Sequence, residues 1–105
     1  MTALPIVGFL ALSSALFAIG LFGILTRRNF ILVLIAIEIA MNAAILNFVY
    51  FGAFSGGPGG LSGQAIAVVL IGFAATEVAV GLAIVLALNR LKGTINVAQA
   101  TDLKL

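Results

Sequence analysis

Residues 30–51 read FILVLIAIEIAMNAAILNFVYF, a run with a single charged side chain, Glu38. A helix on the surface of a soluble protein confines its apolar residues to one stripe. This run is apolar all round, broken only by Glu38, Asn42 and Asn47. As an α-helix it rises about 33 Å, slightly more than the roughly 30 Å hydrocarbon core of a bilayer. The segment reads as a transmembrane helix with an ionisable group inside it.

Two runs of the same kind flank it. Upstream, Leu4 to Leu25 contains no charge, and Pro5 suits a first helical turn, where its missing N–H costs nothing. Thr26-Arg27-Arg28-Asn29 closes that span, and Asn29 is suited to cap the next one. Downstream, residues 55–63 read SGGPGGLSG, which is expected to be a loop because glycine and proline are poor helix and strand formers. A third run, Ile66 to Leu88, holds one charge, Glu77, and the tail from Asn89 carries Arg90, Lys92, Asp102 and Lys104. Helices are therefore expected over about residues 4–25, 30–51 and 66–88, with a tail at 89–105, all in one domain over 1–105. The short alternating strands of a membrane barrel are absent. The expected fold class is all-α, an integral membrane protein of three transmembrane helices.

Composition agrees. The hydrophobic fraction is 64% and the charged fraction 8%, against roughly 45–50% and about 25% in soluble domains. A water-soluble chain of 105 residues has too large a surface to cover with so few charges. Cysteine and histidine are both absent, which excludes disulfides, thiolate chemistry and the usual zinc, haem and iron–sulfur ligand sets. The net charge of +2 does not point to nucleic acid, because all five basic residues sit at span ends. The N-terminus lacks a basic region and its apolar run is too long for a signal peptide, so the first span is expected to persist as a helix.

The basic residues also set an orientation. Arg27 and Arg28 lie between the first two spans, and Arg90, Lys92 and Lys104 follow the third. With three spans these segments share one side, and the opposite side has no basic residue. The positive-inside rule places the N-terminus outside and the tail in the cytoplasm or its topological equivalent.

Glu38 lies about 12 Å below the cytoplasmic edge of its span and Glu77 about 16 Å, both in the middle third of the bilayer. A carboxylate there costs about 2.5–3.5 kcal/mol, and glutamate is too short to reach a headgroup. Each must be protonated, paired, or hydrated in a protein-lined cavity. Two such groups at similar depth suit a proton relay, whereas the plainer alternative is a pair of neutral hydrogen-bonding anchors between helices. Asn42, four residues after Glu38, is placed to hold a water beside it or to bond another helix. No basic residue of this chain reaches either glutamate, so any counter-charge has to come from another subunit.

Small residues favour close packing: Gly20 and Gly23 in the first span, and Ala75, Ala79, Ala83 and Ala87 at four-residue spacing in the third. Gly72 and Gly81 flank Glu77 and are expected to loosen the helix beside it. The glycine segment lacks the lysine and following serine or threonine of a phosphate-binding loop, so a linker is the better reading. With no dinucleotide fingerprint and no nucleophile–base pair, no redox activity is expected of the chain alone.

The stretch Gly23-Ile24-Leu25-Thr26-Arg27-Arg28-Asn29, followed by Ile37-Glu38-Ile39 and Asn42-Ala43, resembles subunit K of proton-pumping NADH:quinone oxidoreductase (complex I), the counterpart of the mitochondrial 4L subunit. The run Glu77-Val78-Ala79-Val80-Gly81-Leu82-Ala83 looks like that family's third-helix signature, and Thr94-Ile95-Asn96-Val97 like its short C-terminal segment. The resemblance extends from about Leu16 to Leu105. It implies that Glu38 and Glu77 match the family's two intramembrane glutamates on a proton path, and that Arg27 and Arg28 match its basic cytoplasmic loop. Ile45 departs from the pattern, standing where a second asparagine is usual, as do Thr76 before the second glutamate and Ala98-Gln99 in the tail.

The resemblance further implies a non-redox subunit of a translocase that couples electron transfer to quinone with proton movement. Quinone, flavin and iron–sulfur clusters would be bound elsewhere in the complex, and none by this subunit. The partners would be other membrane-arm subunits and the lipid bilayer, in a prokaryotic cell membrane or a thylakoid or mitochondrial inner membrane. The electron donor is left open between NADH, reduced ferredoxin and a deazaflavin coenzyme. Three alternatives stand beside this reading: a subunit of a sodium/proton antiporter, which generally lacks the glutamate pair, a membrane-bound hydrogenase subunit, and a scaffold without a proton path.

Overall fold

The computed structural model describes residues 6–54, 57–93 and 96–97. Leu4, Pro5, Ser55, Thr94, Ile95, Ala98, Gln99, Asp102 and Lys104 lie outside the described residues. Three helices make up the fold: α1 (Ile6–Thr26), α2 (Phe30–Phe54) and α3 (Gly57–Lys92). Each is long and apolar enough to cross a membrane. Most of their large apolar side chains are exposed on the chain itself, which suits lipid or neighbouring helices as solvent rather than water.

The turn between α1 and α2 is short because Asn29 starts α2 at once. Its Oδ1 accepts hydrogen bonds from the amides of Ile31 (2.9 Å) and Leu32 (3.4 Å), two donors that the first helical turn leaves orphaned. The far end of the chain returns to this turn. Val97 donates its amide to the Arg28 carbonyl at 2.6 Å, and Asn29 pairs with Asn96 as an isolated antiparallel bridge. Gly93, with φ of 65°, ends α3 and directs the chain back, its amide bonded to the Asn89 carbonyl at 2.8 Å. One end of the molecule therefore carries Arg27, Arg28, Arg90 and Lys92 together.

The glycine-rich segment is not the loop expected from its composition. α3 begins at Gly57, and it runs past Leu88 to Lys92. Pro58 falls in the first turn, where a missing N–H has no partner to lose. The glycines serve packing: a Cβ at Gly63 would stand 2.8 Å from the Gly52 Cα, and one at Gly52 would stand 2.9 Å from the Gln64 nitrogen. Only bare backbone permits that approach, and in lipid an unbonded peptide group costs far more than glycine's conformational entropy.

α2 is the central helix, with α1 on one face and α3 on another; α1 and α3 make no extended contact among the described residues. Towards α1 it presents Ala36 and Ala40, against which Gly20 sits so closely that a Cβ there would lie 2.7 Å from the Ala40 nitrogen. Farther along that seam Phe9 stacks on Tyr50 with ring centroids 4.1 Å apart. Towards α3 it presents Met41, Ile45 and Val49, which pack with Ala67, Leu70 and Ala74. Gln64 reinforces this seam by donating its Nε2 to the Val49 carbonyl at 3.2 Å.

The alanine ridge of α3 takes no part in the α2 contact. Ala75, Ala79, Ala83 and Ala87 are exposed, and α2 is met instead by the ridge carrying Gly63, Ala67, Ala74, Gly81 and Val85. Two glycines in that ridge let the backbones come closer than alanines would.

Candidate functional site: two level carboxyls on the central seam

Two contacts set the register of α2 against α3. Near one end Gly52 meets Gly63, and near the other a Cβ at Gly81 would stand 2.7 Å from the Cδ1 of Leu34. Eighteen residues separate the two contacts on either helix, so the antiparallel pairing runs without a slip between them. Glu38 lies four residues inside the Leu34 contact on α2, and Glu77 lies four residues inside the Gly81 contact on α3. The two glutamates therefore stand at the same level of the helix pair. The sequence reading, counting from span ends, left them about 4–5 Å apart in depth; the register removes that offset.

They occupy different positions on the seam. Leu34, Glu38, Met41, Ile45, Val49 and Gly52 recur at three- and four-residue steps and form the α2 face turned to α3. Glu38 is thus part of the packed face. Its side chain is half-buried, and its Oε1 is buried with no hydrogen-bond partner. In lipid or protein interior such an acceptor costs about 1–3 kcal/mol until a donor reaches it.

Glu77 sits at the edge of the α3 face, exposed on this chain. It borders a groove of about 370 Å³ formed with Leu34 and Ile37 of α2 and Phe73, Thr76, Val80, Gly81 and Ile84 of α3. The Thr76 hydroxyl donates to the Gly72 carbonyl at 2.9 Å, so its proton is used within its own helix. Its oxygen can still accept, so Thr76 and Glu77 both bring hydrogen-bonding capacity to the edge of that groove. The groove's walls are otherwise almost wholly apolar, which makes a lipid-facing carboxylate untenable without a protein or water partner.

The sequence-derived support residues fall apart in space. Asn42, one turn beyond Glu38, is exposed and leaves the Glu38 Oε1 unbonded. Arg27 and Arg28 are exposed at the helix ends, far along α1 and its turn from both carboxyls. Gly81 provides the seat for Leu34. The part played by Ile37 and Phe73 in walling the groove was missed, because an apolar residue in an apolar run gives no signal of which neighbour it meets. Among the described residues no cluster of three or more metal-ligating side chains occurs.

Comparison with known proteins identifies the family. The family model for NADH-ubiquinone/plastoquinone oxidoreductase chain 4L matches residues 8–105. NADH-quinone oxidoreductase subunit K of Bacillus anthracis (strain A0248) is 45% identical over 104 residues, covering 99% of each chain. The subunit K of Geobacillus sp. (strain WCH70) is 42% identical over the same span, and that of Anaeromyxobacter sp. (strain K) is 46% identical over 94 residues, covering 90% of this chain and 92% of its own. With a family model matched over nearly its whole length and relatives at 42–46% identity, this chain belongs to the NADH-ubiquinone/plastoquinone oxidoreductase chain 4L family, that of NADH-quinone oxidoreductase subunit K.

Proposed function

We propose that this chain is a membrane-arm subunit of a complex I-type oxidoreductase and that Glu38 and Glu77 pass protons laterally through it. The supporting observation is the level placement of the two carboxyls on the α2–α3 seam, one packed between the helices and one opening on a surface groove. Packed helix axes stand about 8–10 Å apart, a gap that a few waters or one side chain of a neighbouring subunit bridges. Like charges at one level in a low-dielectric setting repel, so a proton arriving at one carboxyl favours charge on the other. Rearrangement elsewhere in the complex then has a means of moving a proton between them. Electron transfer to quinone, and the flavin and iron–sulfur chemistry before it, belong to other subunits in this reading. Arg27 and Arg28 anchor the α1–α2 turn on the cytoplasmic side, and Asn42 holds water at the exposed flank of Glu38 once a partner covers it.

The test is proton uptake into vesicles alongside electron-transfer rate, in a complex whose subunit content is checked by blotting. Glutamine keeps the size and hydrogen bonding of glutamate but cannot ionise. Glu38→Gln is expected to abolish most pumping and coupled turnover, with Glu77→Gln milder or equal. A fully assembled double variant that pumped at the wild-type ratio would establish the scaffold alternative instead.

A further inference from the structure

The seam between α1 and α2 opens into a trough near the end of the molecule that carries Arg27 and Arg28. Its floor is thin: a Cβ at Gly23 would stand 2.7 Å from the Cβ of Ala36, so bare backbone meets a single methyl group there. The walls are Ile19 and Phe22 of α1 and Leu32 and Ile35 of α2, all exposed, and the space between them is about 320 Å³. Arg27 borders this space at its outer end and is the one charged residue that lines it.

The trough has the length of one leaflet. From Ile19 to Arg27 the helix rises about 12 Å, within the roughly 15 Å that half of a bilayer's hydrocarbon core provides. The Arg27 guanidinium is exposed. Among the described residues the acidic side chains are Glu38 and Glu77, both in mid-span, so no carboxylate stands beside it. Arg28, Arg90 and Lys92 at the same end add to the positive field rather than offset it.

We propose that this trough binds an anionic phospholipid, with one acyl chain between α1 and α2 and the headgroup phosphate on Arg27. The apolar walls match a hydrocarbon chain, and a guanidinium offers paired N–H donors to phosphate oxygens where that chain meets its headgroup. A zwitterionic headgroup carries its own cation beside the phosphate, which weakens the attraction to Arg27; an anionic one does not. A neighbouring helix is the competing occupant, but it would run the full depth of the membrane, and against Arg27 it would have to bring a carboxylate. The site is separate from the proposed proton path, because Glu38 lies on the side of α2 that faces α3.

The test uses the assembled complex reconstituted with phosphatidylglycerol or phosphatidylcholine bearing the same photoactivatable diazirine on an acyl chain. Adducts are mapped by mass spectrometry of peptides, and those on the peptides holding Ile19, Phe22, Leu32 and Ile35 are compared with the average over all lipid-labelled peptides of the complex. Phosphatidylglycerol is expected to exceed phosphatidylcholine in the trough by roughly fivefold relative to that average, the ratio that the attraction of one arginine gives. Arg27→Gln should remove the excess, Arg27→Lys should keep part of it, and Arg90→Gln should leave it in place. Equal labelling by the two lipids would overturn the proposal, as would an excess lost equally in Arg90→Gln, which would mean a diffuse surface charge. Trough peptides that took no adduct from either lipid would overturn it in favour of a neighbouring subunit. The comparison of the two lipids needs no variant, so it decides the matter even if Arg27→Gln fails to assemble.

Discussion

Leu34 rests its Cδ1 methyl on the bare backbone of Gly81, where a Cβ would stand only 2.7 Å away. That contact and its counterpart between Gly52 and Gly63 hold α2 and α3 in the register that makes Glu38 and Glu77 level. The consequences differ at the two ends. At Gly81 the obstacle is the tip of a flexible side chain, whereas at Gly52 it is backbone: the Gln64 nitrogen at 2.9 Å and the Gly60 oxygen at 3.0 Å.

Gly52→Ala should therefore be the costlier substitution. Backbone cannot rotate aside, so the helices must separate, at about 1–3 kcal/mol, while Gly81→Ala should cost less than about 1 kcal/mol as Leu34 changes rotamer. Thermal stability of the purified complex and the amount of subunit retained in it give the comparison. Equal losses at both glycines would contradict the packing described.

Aspartate separates the role of acidity from that of reach. Glu38→Asp keeps an ionisable group but shortens it by one methylene, about 1.5 Å on a seam where the carboxyl is already packed. Pumping per electron should fall to an intermediate level, between wild type and Glu38→Gln. An aspartate variant as inactive as glutamine would mean that position on the seam matters more than acidity.

Topology is open to direct labelling. Leu61 and Leu91 are both strongly exposed, 77% and 74%, at opposite ends of α3. From the arginine and lysine distribution, Leu61→Cys should react with an impermeant thiol reagent from the outer side and Leu91→Cys only from the cytoplasmic side. The reverse pattern would invert the orientation.

Gly93 is the residue with positive φ among those described, at 65°, and it aims the chain back toward the Arg28 carbonyl. An alanine there pays about 1 kcal/mol for a left-handed conformation. Gly93→Ala should speed hydrogen exchange at the Val97 amide several-fold and leave α2 and α3 amides unchanged. Exchange unaltered at Val97 would show that the return of the tail does not depend on this turn.

The sequence by itself determined the class of this protein. Three charge-poor runs of sufficient length have no stable place in water, because burying them in so short a chain is impossible; two glutamates inside those runs mark positions that lipid would not tolerate without a partner. Those conclusions need only composition and order along the chain. The tertiary structure decided how the runs meet. Glycine propensity argued for a loop at residues 57–63, yet those glycines begin α3, because α2 approaches them backbone to backbone and a helix in an apolar solvent satisfies its own peptide groups. Four alanines in register looked like the packing ridge, yet the neighbouring ridge with two glycines is the one α2 occupies. The common level of Glu38 and Glu77 belongs to this second category, since it depends on an antiparallel register fixed by contacts between residues far apart in sequence. In an apolar run every side chain partitions alike into lipid or protein, so hydropathy carries no record of which face meets which helix; close packing, sensitive to a single methyl group, makes that choice.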